Sequence, residues 1–172
     1  MKAKFLTILF VSVSMFFIAC DEESITEAVV GSNSIELSGV ITKSYDTQSI
    51  AGLMQEDTSS IFAIFVQPKN SLSFDTDILG MMKVSDIIPP VGNYKIGESF
   101  LEGNDFFATF TPNDSTIYFM SSGSVKITKS SSSKIEGTFD LSGYQLTFPV
   151  DSTKVLNISG EFSTIPTDLN WY

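Results

Sequence analysis

The hydrophobic pattern divides the chain into two unlike parts. Phe5 to Ala19 is an apolar run broken only by Thr7, Ser12 and Ser14, and Lys2 and Lys4 precede it. From Ser34 onward the pattern changes to short alternating or aromatic-rich runs separated by turn residues, with no sustained 3.6-residue period. Ile35, Leu37, Gly39 and Ile41 alternate with Glu36, Ser38, Val40 and Thr42, which predicts a half-buried strand. Ile61 to Val66 is continuously apolar, as expected of a central strand covered on both faces.

Three hairpins follow from the turn chemistry. Phe106–Thr111 and Thr116–Met120 flank Pro112-Asn113-Asp114-Ser115. Ser124–Lys129 and Ile135–Leu141 flank Ser130–Ser133, with Val125, Ile127, Ile135, Gly137 and Phe139 on one face. Tyr144–Val150 and Val155–Ser163 flank Asp151-Ser152-Thr153. Such spacing predicts an all-β domain over 34–172, an antiparallel meander forming a β-sandwich or small β-barrel. The exception is 75–90, where Asp77 is placed to cap a short helix over 77–83, ended by Pro89-Pro90 and plugging one end of the sheet. The aromatics of the predicted strands (Phe106, Phe107, Phe110, Phe119, Phe139, Phe148 and Phe162) are assigned to the core, and Trp171-Tyr172 to pinning the last strand.

Composition narrows the chemistry. All ten basic residues among the 172 are lysine, and there is neither arginine nor histidine. Histidine's absence removes the usual near-neutral base and the commonest metal ligand, and arginine's removes the bidentate clamp for phosphate. Twenty acids against ten lysines disfavour nucleic acid as a partner. No residue pattern points to a catalytic residue, a metal or a cofactor.

The N-terminal run has the charged and apolar regions of a secretory signal peptide, and is shorter than the ~20 residues a membrane-crossing helix needs. It ends in Phe17-Ile18-Ala19-Cys20, and Cys20 is the only cysteine of the chain. These four residues resemble the lipobox of bacterial lipoproteins, with Phe17 where leucine is usual. The resemblance implies that residues 1–19 are cleaved and that Cys20 is lipidated, anchoring the protein to a membrane. Removing 1–19 leaves eight lysines against twenty acids, a net charge of −12. Residues 20–33 then read as a lipidated cysteine on an acidic, flexible tether. Asp21, Glu22 and Glu23 look like the surface-export signal of Bacteroidota lipoproteins, although in enteric bacteria an aspartate here would imply inner-membrane retention.

Four segments extend that resemblance. Val91–Gly97, Gly123–Thr128, Ile135–Phe139 and Asn157–Phe162 occur in an order similar to a family of Bacteroidota lipoproteins built on one β-domain. The glycines carry it: Gly92 and Gly97 suit tight turns, while Gly137 and Gly160 sit inside strands, where glycine marks a bulge or bend. The family implies the fold class and an outer-membrane location, surface-exposed or, alternatively, facing the periplasm. It implies no activity.

Weaker motifs read as structure. Asp75 to Asp86 begins like a calcium loop, but Leu79 and Lys83 stand where an EF-hand needs oxygen ligands, leaving a cap and turn. Glu102, Asn104 and Asp105 read as a solvated loop. Ser131 to Lys134 matches S-x-x-K, yet falls in a predicted turn rather than on the helix which that chemistry uses. Asp114-Ser115-Thr116 and Asp151-Ser152-Thr153 resemble the O-glycosylation acceptor of exported Bacteroidota proteins, which makes Ser115 and Ser152 candidates. The function expected is therefore a non-catalytic surface module binding a glycan, protein or small molecule. The alternatives are an envelope hydrolase working through carboxylates, or a small barrel carrying a hydrophobic ligand.

Overall fold

The computed structural model describes residues 33–56, 59–69, 76–97, 105–113, 115–147 and 153–169. They form ten strands: β1 (Asn33–Gly39), β2 (Lys43–Glu56), β3 (Ser59–Pro68), β4 (Ile78–Val84), β5 (Gly92–Lys95), β6 (Phe107–Asn113), β7 (Thr116–Ser131), β8 (Lys134–Gln145), β9 (Val155–Thr164) and β10 (Pro166–Asp168). Neighbours run β1-β9-β8-β7-β6-β4-β3-β2, and β2 pairs back with β1 from Asn33↔Thr47 to Leu37↔Lys43. This closes an antiparallel eight-stranded barrel, and closure removes the free edges that an open sheet would expose. β10 extends the seam by pairing in parallel with β2, and Leu169 N–H continues it by donating to Leu53 O at 3.0 Å.

The three predicted hairpins are present, but β7 and β8 are each one long strand running through the Ser/Gly-rich stretches read as breaks. β8 ends at Gln145, and residues 148–152 lie outside the described residues. β7 changes partners along its length: its first half pairs with β6, and its second half with β5. Ile96 then bridges to Phe106 in parallel, so β5 leads into the start of β6.

The helix expected over 77–83 is not formed; Ile78–Val84 is β4. Leu and Met favour helix locally, but this segment lies between β3 and β6, with Leu79 and Met81 fully buried inside and Ile78 buried outside. Burial on both faces outweighs a propensity difference of under about 1 kcal/mol per residue. Asp77 is no cap: it adopts φ 57°, and its carboxylate pairs with Lys43. Residues 85–91 connect β4 to β5, and there Ser130 Oγ donates to Pro89 O (2.8 Å) and Tyr94 Oη to Pro90 O (2.7 Å).

Side chains fill the interior. Phe62, Phe106, Phe110 and Phe162 are fully buried there, each contributing about 1.5–3 kcal/mol of apolar transfer. Gly137 and Gly160 mark close approaches, and Gly137 also stands where the β7–β8 register shifts between Ile127 and Lys129. Gly137 faces Phe162 across β8–β9, and Phe139 faces Gly160. A Cβ on either glycine would stand 2.5–2.7 Å from the opposite ring, so each glycine makes room for one phenylalanine. Gly92 lies in β5 rather than in a turn. Phe107 and Phe119 leave the predicted core set: they lie on the outer wall, 5.3 Å apart, with Tyr144 5.9 Å from Phe119. β3 is covered on both faces as its sequence implies, by Phe62, Ile64 and Val66 inside and by Ala63 outside, packed with Met54 and Leu169.

Candidate functional site

The outer wall is divided by polarity. Around β3 and β4 it carries Ile50, Phe65 and Met82, whereas across β1, the middle of β9 and β8 and the second half of β7 it is mainly hydroxyl, amide and charge. The cause is strand alternation. Ile35, Leu37, Ile158, Phe139 and Leu141 point inward, which turns Glu36, Asn157, Ser159 and Asp140 outward.

Register then aligns them. Ser44, Glu36, Ser159, Asp140 and Ser124 occupy one row across five strands. Glu36 and Asp140 flank Ser159, two strand spacings apart, or roughly 9.5 Å between backbones. A cleft of about 600 Å³ opens over this row, lined also by Ser38, Lys43 and Asn157. A second depression of about 420 Å³ includes Asn93, Lys126 and Thr138 and shares Asp140 with the first. Hydroxyls and the amide can donate and accept, the carboxylates only accept, and no aromatic ring lines the cleft among the described residues. Lys43 at its edge is held by Asp77 and lies 5.0 Å over the Tyr45 ring.

Glu136, on the same polar wall, is engaged by a lysine. Lys134 Nζ donates to it at 2.5 Å, and this bond, helped by Lys129 and Ser163, holds the carboxyl below the ordinary glutamate range. A depressed group of this kind contributes stability above the ordinary carboxylate range and loses it as pH falls through the folded-state value. Carboxyl NMR titration should therefore give Glu136 a midpoint below that of a free glutamate, and Lys134→Met should move it upward. Identical midpoints in the two proteins would mean that the ion pair does not form in solution.

Of the residues singled out from the sequence, Ser115 is exposed at the β6–β7 tip, where its N–H and Oγ donate to Asn113 Oδ1 at 3.1 and 3.0 Å. Ser131 and Lys134 form the β7–β8 turn: Lys134 N–H donates to Ser131 Oγ, and the ammonium is engaged by Glu136. Leu79 is buried in the barrel, and no group of three His, Cys, Asp or Glu able to hold a metal occurs among the described residues. Cys20, Asp21, Glu22, Glu23, Glu102, Asn104, Ser152, Trp171 and Tyr172 lie outside the described residues.

Two features had no reading in the sequence. The row Glu36–Ser159–Asp140 joins residues over a hundred positions apart, and only the alternation of β1 hinted at it. Lys83 faces inward opposite Phe62, 7% exposed, with its ammonium 5.8 Å over Tyr94, whose ring meets Phe106 edge-on. No protein-family model, curated protein or solved structure matches this chain.

Proposed function

We propose that the chain is a lipid-anchored outer-membrane protein of the Bacteroidota single-β-domain type, held through Cys20. In this reading its barrel is a non-catalytic module that offers the polar half of its outer wall to a hydroxyl-rich ligand, a glycan. The observation that carries this reading is the cleft over Glu36, Ser159 and Asp140, where donors and acceptors alternate on rigid strands. Filling of the interior by side chains favours an outer site over carriage of an apolar molecule inside. Asp21, Glu22 and Glu23 serve as the export signal on the tether, and Ser115 and Ser152 as sites of O-glycan addition.

A glycan array probed with the whole mature protein tests the ligand class. Wild type should retain a defined glycan and the double variant Glu36→Gln, Asp140→Asn should lose it with its thermal midpoint unchanged. No retained glycan, or equal retention by the variant, would reject the cleft. Protease treatment of intact cells tests the location: digestion of the domain before lysis supports surface display, and protection until lysis supports the periplasmic orientation.

The carboxylate pair favours a second reading. Glu36 and Asp140 face outward two strands apart across Ser159, and inverting glycoside hydrolases work through two carboxylates, one as acid and one as base. An envelope hydrolase would release reducing sugar from the retained glycan and lose that activity, but not binding, in Glu36→Gln alone.

A further inference from the structure

The apolar lining of the barrel is interrupted at its closing seam. Where β1 begins at Asn33, β2 exchanges β1 for β10 as its neighbour. The inward side chains around this exchange are Asn33, Thr47, Ser49 and Thr164, none more than 3% exposed. Three of them are satisfied. Asn33 Nδ2 donates to Ser49 Oγ (3.0 Å) and to Ser163 O (3.5 Å), and Ser49 Oγ donates to Ser163 O (3.2 Å). Thr164 Oγ1 donates to Ile165 O at 3.5 Å.

Thr47 and its inward neighbour on β2, Tyr45, differ. Thr47 Oγ1 and Tyr45 Oη are both shut off from solvent, and neither makes a hydrogen bond to a described residue. Burial, with the Asp77 carboxylate nearby, pushes the Tyr45 phenol well above its usual range, so it keeps its proton and remains a donor. A buried hydroxyl left unpaired opposes folding more than a typical hydrogen bond favours it. Polar groups inside native proteins are instead completed by ordered water, which needs such partners to reside there. We propose that Thr47 and Tyr45 bind ordered internal water, forming a hydrated site at the seam where the barrel closes.

Near-isosteric substitutions decide the matter, measured by urea unfolding of the whole chain. Thr47→Val and Tyr45→Phe each remove one hydroxyl with little change of shape. Loss of a hydrogen bond to bound water should lower the folding constant about five- to tenfold in each variant. An unchanged or higher folding constant would mean that the hydroxyls have no partner, and the site would be rejected. A second readout is independent of stability. Wild type and Thr47→Ser should show cross-relaxation between long-lived water and the protons around residue 47, and Thr47→Val should lose it. Wild type without that signal would equally overturn the proposal.

Discussion

Gly123→Ala is expected to destabilise the barrel by about 2–5 kcal/mol, from backbone strain and overpacking together. Gly123 has φ 118°, in the region that L side chains avoid, and an added Cβ would stand 2.1 Å from Asp140 O and 2.8 Å from Leu141 Cα. Both obstacles are backbone, so no rotamer change relieves them. The position matters because the β7–β8 register shifts between Met120 and Ser122, just before Gly123, where β7 passes from β6 to β5. Gly80→Ala is the matched control. Its Cβ would meet the Phe65 ring at 3.4 Å and Thr109 Oγ1 at 3.8 Å, ordinary contacts with side chains, so a change within about 1 kcal/mol is expected, aided by the smaller entropy of the unfolded chain. Denaturant unfolding of the two variants checks the pair. Equal effects would show that the bend in β7 does not depend on Gly123.

Cys20→Ser is expected to act on location rather than stability. Lipid labelling should vanish, and the protein should be released or remain unprocessed. Each buried methylene of an acyl chain contributes about 0.8 kcal/mol, and two or more chains make attachment stable, so losing every chain is close to all-or-none. Fractionation after metabolic labelling is the measurement, and unchanged membrane association would refute the anchor. Alanine at Asp21, Glu22 and Glu23 should lower surface display while leaving lipid labelling and the unfolding midpoint of the barrel intact.

Elements specified by neighbouring residues were legible. β1 showed its alternation, β3 its continuous apolar run, and the hairpins their turn residues, because each signal spans fewer than about ten positions. β2 escaped notice since its inward positions include Thr47 and Ser49, which blur the hydrophobic pattern. β4 was misread as helix because Leu79, Met81 and Met82 suit a helix until β3 and β6 stand on either side. β5 and β10 are too short, at four and three residues, to carry a pattern. Phe107 and Phe119 looked like core because residue type alone does not say which face of a strand turns inward.

Local alternation, turn chemistry and composition are enough to specify the all-β class, the hairpin order and the excess of acid over base. Closure into a barrel was decided only in three dimensions. The β1–β9 pairing, from Ile35↔Gly160 to Gly39↔Leu156, joins the two ends of the meander; it is a long-range contact with no local signature, and it distinguishes a barrel from a sandwich. The polar cleft depends on the same closure. Glu36, Asp140 and Ser159 come from three strands, and only the interstrand register places them in one row.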